Sequence, residues 1–368
     1  MEKHKKKIGF CITCMNRAHH LKETLKKNMD DNNLPDDVEF VLLDYNSSDD
    51  LEEWVRENLA HYIDSGILVY YKIFTPTAYI RSHSRNIAFR LSDAKIVCNL
   101  DADNFLGEGF AEFIINKFDM ENNIFYTSVM AENTFGRVCV LKNDFVKIRG
   151  YNEAFTGYGY EDGDLFNRLR KIGLEQKEFY KTEFYRSVEH SNEERVSEEY
   201  YAKNNYKIYL SYINPYTTIL LFLLSNGTFE TGTVVDNIHL NRNIFDSSND
   251  RNNFYVDSRF RITQEGDWVT GTWHETEEYR IILNINNIPK FFHKSDNVLI
   301  DDEDVYYEVV DKQIQTLLLI VISEAKNYKE SIGYCNNDVI TNPEINKNGY
   351  GKGIVYKNFD YNNEIILS

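Results

Sequence analysis

No apolar run in this sequence is long enough to cross a membrane: Ile219 to Leu224 with its flanks falls far short of the roughly 20 residues a spanning helix needs. Nor does a secretory signal precede the first apolar run, Ile8–Thr13, which is too short for a signal core and lacks a small-residue cleavage site. Cysteine is scarce, five in 368 residues and an odd number, which suits a reducing compartment rather than a disulfide framework. Positive charge is short too. With 41 Lys and Arg against 58 Asp and Glu, the net charge is −17, and a nucleic-acid binder needs the opposite balance to displace phosphate counterions. The one basic cluster, Lys3, Lys5, Lys6 and Lys7, reads as a solvated tail, with at most a weak contact to an anionic membrane surface. The expectation is a cytoplasmic protein with no transmembrane segment and no nucleic-acid partner.

What is present describes a folded chain. Hydrophobic residues make up 42% of the sequence and aromatics 14%, well above a disordered composition, and the length favours two domains. Up to about residue 130, short β-type runs alternate with helical patterns, as βαβ units on a largely parallel sheet do. The predicted strands are Ile8–Thr13, Glu39–Leu43, Ile67–Ile73, Lys95–Leu100 and Ile124–Met130. Between them Leu21, Leu25 and Met29 form one apolar stripe, Leu51, Trp54, Val55, Leu59 and Tyr62 a second, and Ile87, Ala88 and Leu91 a third. Cys11 and Cys14 form a C-x-x-C pair, but in a strand i and i+3 point to opposite faces, so both read as packing residues. After Tyr200 the texture changes to β-rich runs bounded by Gly, Asn and Asp: Gly227–Val235, Arg259–Thr263, Trp268–Trp273 and Tyr279–Ile285. Gln313–Ser323 fits a buried strand or a helix equally. The expected division is residues 1–205, a linker at 206–225, and a β-rich sandwich or small barrel over 226–368.

Chemistry concentrates in two segments. In Lys95–Asn104, KIVCNLDADN, an apolar strand runs straight into Asp101 and Asp103, and ligands of open α/β sheets bind outside the carboxyl ends of the strands. Two carboxylates there suit a hard divalent cation such as Mn²⁺ or Mg²⁺, though a turn or helix cap uses the same residues. About sixty residues later comes Gly157-Tyr-Gly-Tyr-Glu-Asp-Gly-Asp164, followed by a helix with Leu165, Phe166, Leu169 and Ile172 on one face and Gly173 as its stop. Glycines and tyrosines before an acid pair describe a mobile, sugar-stacking loop; the competing reading is acids that complement a helix dipole.

Taken in order, these motifs resemble the GT-A fold glycosyltransferases, particularly bacterial family 2, and GYGYEDGDLFNRL resembles the β-1,4-galactosyltransferases and chondroitin-polymerase-like enzymes. The resemblance covers roughly Ile8 to His190 and implies a Rossmann-like nucleotide-sugar-binding domain with a mostly parallel central sheet, followed by the smaller β-rich domain. It implies donor contacts at Thr13 and Arg17 in CITCMNR, at Asp44 and Asn46 in VLLDYNSSDD, and at Arg85 and Asn86 in HSRNIAF. Tyr45 stands where the family often has a second acid. Asp101 and Asp103 match the metal motif, with Asp103 the direct ligand, and His190 in SVEHSN lies where several such enzymes place a further one. Asp162 matches the catalytic base, and Glu161 a residue that holds the acceptor, with Tyr158 and Tyr160 as a platform for its ring.

The function so implied is inverting transfer of a sugar from a nucleotide-diphosphate sugar, a UDP-sugar by the resemblance, to a saccharide acceptor in bacterial polysaccharide or glycoconjugate synthesis, with Mn²⁺ or Mg²⁺. A glycan-binding protein on an inactive transferase scaffold and a retaining transferase are the alternatives. The second keeps Asp101 and Asp103 but does not require the Glu161–Asp162 loop. Trp268 and Trp273 would bind carbohydrate if exposed and serve the core if buried, and the β-rich domain is expected to hold or orient acceptor.

Overall fold

The computed structural model describes residues 6–128, 133–214, 217–235, 269–277, 280–335 and 345–368. They fall into two compact units, one of Met1–Thr156, Tyr160–His190 and Ser331–Ser368, the other of Gly157–Gly159 and Ser191–Glu330.

In the first unit β1 (Lys6–Cys14), β2 (Val38–Tyr45), β3 (Leu68–Ile73) and β4 (Ala94–Asn99) run parallel. Their crossovers are α1 (Ala18–Asp31), the consecutive α2 (Leu51–Asn58) and α3 (Ala60–Asp64), and α4 (Arg81–Leu91). The chain continues through α5 (Phe110–Met120), β5 (Ile124–Thr127), β6 (Val138–Leu141), α6 (Lys142–Lys147), α7 (Glu161–Lys171) and β7 (Glu175–Glu178). The last two strands, β16 (Gly353–Lys357) and β17 (Asp360–Leu367), return to this sheet and give the order β17-β16-β3-β2-β1-β4-β6-β5-β7.

The sheet is mixed, although most of its strands share one direction. β6 lies antiparallel between β4 and β5, and β16 pairs antiparallel with β3. The first four strands read as continuous apolar runs because both faces are covered. On β1 and β2, Phe10, Ile12, Cys14, Phe40 and Leu42 pack into one core cluster, while Cys11, Val41, Leu43 and Tyr45 pack into the other. Cys11 and Cys14 are therefore packing residues on opposite faces.

The second unit opens with α8 (Asn192–Val196) and α9 (Tyr200–Asn204). Eight strands then close an antiparallel barrel: β8 (Asn205–Asn214), β9 (Thr217–Leu224), β10 (Thr228–Val235), β11 (Val269–Glu275), β12 (Arg280–Ile285), β13 (Ile288–Ser295), β14 (Val298–Ile300) and β15 (Val305–Glu308). Pairing of Tyr307 with Leu210 and of Glu308 with Tyr209 closes it. The ambiguous run Gln313–Ser323 is helical, within α10 (Lys312–Cys335).

The stretch expected to be a linker instead holds β8 and β9 of the barrel, over 206–214 and 217–224. Leu221 and Leu223 join Tyr209, Phe229, Leu283 and Phe292 in one cluster, while Leu220, Phe222 and Leu224 pack with Leu318, Leu319 and Ile322 of α10 in another. A strand buried on both sides loses its alternation, and that produces the apolar run at Ile219–Leu224. The β-rich part also ends before residue 368, because β16 and β17 belong to the first sheet. Trp273 is half-buried against the barrel core, and its Nε1 donates to the Leu224 carbonyl at 2.8 Å. Met130, Arg259–Thr263, Trp268 and Tyr279 lie outside the described residues.

Candidate active site

The carboxyl end of β4 delivers Asp101 and Asp103 into a loop that other segments hold in place. Asn99 Nδ2 donates to Asp101 Oδ1 and to the Gly136 carbonyl, each at 3.0 Å. The fully buried Arg137 donates through Nη2 to Asn104 Oδ1 at 3.2 Å and to the Phe105 carbonyl at 2.9 Å, and through Nη1 to the Phe184 carbonyl. Asn104 and Ser187 form a β-bridge, and Val188 N donates to the Asp103 carbonyl at 2.8 Å. This zipper carries His190 back to Asp103, where Nε2 lies 2.8 Å from Oδ2. Asn104 Nδ2 holds the other Asp103 oxygen, Oδ1, at 3.0 Å. A carboxylate oxygen and an imidazole nitrogen that converge in this way form a donor set suited to Mn²⁺.

Arg85 of α4 connects this loop to α7. Its Nη1 donates to Asp162 Oδ1 at 2.8 Å and to Glu161 Oε1 at 3.3 Å, and its Nη2 to Asp101 Oδ1 at 3.2 Å. The Tyr151 ring covers the guanidinium at 5.4 Å. Gly136 closes the cluster, since a Cβ there would stand 3.0 Å from Arg85 Nη2, 3.1 Å from Asp162 Oδ2 and 3.2 Å from Asp101 Oδ2.

The two aspartates are driven apart in acidity. Burial raises Asp162, Arg85 partly offsets that, Glu161 and Asp101 add to it, and the carboxyl reaches about 7. Burial also works to raise Asp101, whose side chain is 31% exposed, but Arg85, Arg81 and the Asn99 hydrogen bond overcome it and hold that group below the ordinary range. Neighbouring acids held in different protonation states are the arrangement that general acid–base chemistry uses.

Local sequence explains how α7 presents its acids. Tyr160 turns the chain with φ 70° and is 42% exposed; Glu161, Asp162 and Asp164 follow, all buried, in the first turn. Arg168 Nε donates to Asp164 Oδ2 at 2.8 Å, and its Nη1 to the carbonyls of Ile148 at 2.8 Å and Gly150 at 2.7 Å. Asp164 is thus a strut that ties α7 to the turn before Tyr151.

Asn86 is the second strut, and the structure gives its amide no face to offer a donor. Its Nδ2 donates to the Tyr151 carbonyl at 2.9 Å and to Glu153 Oε1 at 2.8 Å, while Oδ1 accepts from Tyr151 N at 2.8 Å. The C-terminal segment completes the frame. Asn346 Nδ2 donates to the Arg149 and Tyr151 carbonyls, each at 2.7 Å, and Gly351 N donates to Glu153 Oε1 at 2.6 Å.

On the β1–β2 side, Thr13 Oγ1 lies 2.5 Å from Tyr79 Oη, and the Arg17 carbonyl accepts from His20 N at 3.1 Å at the start of α1. Asn46 has φ 62° and donates through Nδ2 to the Pro76 carbonyl at 2.7 Å. Asp44 is fully buried and its oxygens are taken: Ser47 N donates to Oδ1 at 2.7 Å, and Tyr70 Oη to Oδ2 at 2.7 Å with Lys72 Nζ at 3.1 Å. It serves the β2–β3 pair as an internal ion pair rather than facing a ligand. Tyr45 Oη meets His83 Nδ1 at 2.6 Å.

In the second unit, Tyr158 Oη accepts from Arg195 at 3.2 Å. The glycines beside Tyr158 serve close packing on α10 rather than loop mobility. A Cβ on Gly157 would come 2.5 Å from Ser323 Oγ and one on Gly159 2.5 Å from Glu324 Cγ, while Asn327 Nδ2 donates to the carbonyls of both.

The sequence brought Asp101, Asp103, Arg85, Glu161, Asp162 and His190 forward, and the structure gathers them into two linked groups. It adds Tyr151, Gly136 and Asn99, of which only Asn99, two residues before Asp101, carried a sequence signal.

Residues 117–191 match the family model described as the N-terminal domain of galactosyltransferase. Among solved structures, S. aureus TarS 1-349 is similar with a TM-score of 0.43 and 12% identity, over 50% of this chain and 60% of that one. The mannosyltransferase PcManGT from Pyrobaculum calidifontis, in complex with GDP-Man and Mn²⁺, gives 0.39 and 16%, over 47% and 55%. The catalytic domain of Drosophila β1,4-galactosyltransferase 7, with xylobiose, gives 0.37 and 12%, over 53% and 75%. The chain spans 60% of the length of the TarS fragment and 55% of the mannosyltransferase. It resembles the glycosyltransferases, and over residues 117–191 it carries the segment that the galactosyltransferase family model describes.

Proposed function

We propose that the protein is an inverting glycosyltransferase that moves a sugar from a UDP-sugar to a saccharide acceptor, with Asp162 as general base. The observation that carries this reading is Asp162 itself: a buried carboxyl at the head of α7, raised to about 7, inside a segment that matches the galactosyltransferase model. A base poised near neutral pH both holds and releases a proton readily. Asp162 takes the proton of the acceptor hydroxyl, the acceptor oxygen bonds to the anomeric carbon, and the bond from that carbon to the diphosphate breaks on the opposite face. The electron pair leaves with the nucleoside diphosphate.

Asp103 and His190 would hold a divalent cation, with Asp101 beside them, and the convergence of Asp103 Oδ2 and His190 Nε2 at 2.8 Å supports that donor set. When bound, Mn²⁺ supplies positive charge to the leaving diphosphate. Glu161 supports the acceptor, and Tyr160, exposed at the start of α7, offers it a ring face. Thr13, Arg17 and Asn46 remain the donor-side residues, at the end of β1 and in the loops that follow β1 and β2. A polysaccharide or glycoconjugate acceptor completes the reading, and the barrel of the second unit is assigned to acceptor binding. A retaining transferase does not require the Glu161–Asp162 pair, and a glycan-binding scaffold without turnover has no use for a base so tuned.

The test is a panel of nucleotide sugars assayed for Mn²⁺-dependent release of nucleoside diphosphate, with the anomeric configuration of the product determined by NMR. Inversion with a UDP-sugar supports the reading. Retention, or no release from any donor, contradicts it.

A further inference from the structure

Arg85 was expected to contact the donor, yet its guanidinium is directed elsewhere. Both terminal nitrogens point at protein carboxylates: Nη1 at Asp162 and Glu161, Nη2 at Asp101, all between 2.8 and 3.3 Å. The side chain is 2% exposed, its Nε is buried with no hydrogen-bond partner among the described residues, and Tyr151 lies against its face. An arginine that clamps a phosphate presents a fork of N–H groups to the ligand. Here the fork is closed by acids from two segments, the loop after β4 and the first turn of α7.

Those acids need it. Arg85 is hydrogen-bonded to all three carboxylates, with Arg81 adding positive charge near Asp101, and without the Arg85 bridge the like charges would repel and swing apart. Gly136 lets the chain approach them closely, since a Cβ there would press on Arg85, Asp162 and Asp101 at 3.0 to 3.2 Å. The groups that face Asp162 are Arg85 from α4, Asp101 from the loop after β4, Glu161 from its own helix and Tyr151 from the preceding turn.

We infer that Arg85 is a positioning residue: its guanidinium bridges Asp101 and Asp162, fixes the Asp162 carboxylate for the acceptor, and makes no contact with the donor diphosphate. This rests on the reading of Asp162 as the base. It departs from the family expectation for Arg85.

The experiment uses the full chain and two variants, Arg85→Gln and Arg85→Lys. Binding of UDP with Mn²⁺ is measured by calorimetry, and the Asp162 carboxyl is titrated by ¹³C NMR with Asp162→Asn to assign the resonance. In Arg85→Gln the UDP dissociation constant is expected to stay within about threefold of the native value, while the Asp162 midpoint moves up by about one pH unit or more, as loss of a neighbouring cation requires. Arg85→Lys, which keeps the charge but not the fork, is expected to give a smaller upward movement. If Arg85→Gln does not fold, the same two measurements on Arg85→Lys carry the test. UDP binding weakened by about tenfold or more with an unmoved Asp162 titration would make Arg85 a donor contact and overturn the inference. If the native chain binds no UDP, the proposed function fails, while the Asp162 titration still reports whether Arg85 governs that carboxyl.

Discussion

At the scale of single residues, Asp162 sets the pH behaviour. Its folded-state value of about 7 lies above the ordinary 3.8, and the base must be ionised to act. Turnover should therefore fall as the pH drops below about 7, and a profile of kcat/KM against pH for the free enzyme checks it. The sign for stability is the reverse. Between about 4 and 7 the folded state binds the proton that the unfolded state has released, so Asp162 makes the fold less stable as the pH rises through that window. Asp162→Asn should flatten that part of a curve of denaturation midpoint against pH. His190 makes a separate claim. If it ligates the cation with Asp103, His190→Ala should weaken Mn²⁺ binding by about tenfold or more in calorimetry, whereas a purely structural partner of Asp103 would leave Mn²⁺ affinity unchanged.

At the scale of elements, the site rests on struts that hold α4, α7 and the turn at 148–153 together. Asn86 supplies two hydrogen bonds to the Tyr151 backbone from a fully buried position. Asn86→Ala should orphan buried groups at about 1–3 kcal/mol each, which denaturant unfolding would register. Gly351 has φ 55°, and a Cβ there would meet the Asn86 carbonyl carbon at 2.9 Å and Ile87 N at 3.0 Å. Because neither backbone atom can yield, Gly351→Ala should destabilise the first unit by at least about 1–3 kcal/mol in the same assay. These struts were hard to read from sequence. An asparagine inside HSRNIAF looks the same whether it faces a ligand or a neighbouring backbone, and glycines in GYGYEDGD signal mobility and close packing alike. The strands β1 to β4 were legible within a residue or two, because Gly, Asn and Asp bound their apolar runs and amphipathic helices separate them.

At the scale of the molecule, what sequence concealed was pairing over long separations. Nothing in Gly353–Leu367 says that it joins a strand formed nearly three hundred residues earlier, yet Tyr356 pairs with Lys72 and Asn358 Oδ1 accepts from Tyr70 N at 3.0 Å. The run Ile219–Leu224 was hidden for the opposite reason: packed on both sides, it lacks the alternation that marks a half-buried strand. Among the described residues no helix is long and apolar enough to cross a membrane. The acids of the site, by contrast, were readable, because motif order along the chain survives when their spacing in space is unknown. Their convergence on Arg85 was not, since it depends on α4 and α7 meeting beside the end of β4.

The most direct test of the account is sugar transfer by Asp162→Asn set beside the native chain, with Mn²⁺ and the preferred donor at a pH above 8. The substitution keeps size and most hydrogen bonding but removes the basic oxygen. Transfer should fall by about two to four orders of magnitude while UDP affinity barely changes. Transfer at a near-native rate would show that the Glu161–Asp162 pair only shapes the first turn of α7, and would contradict the assignment of the base.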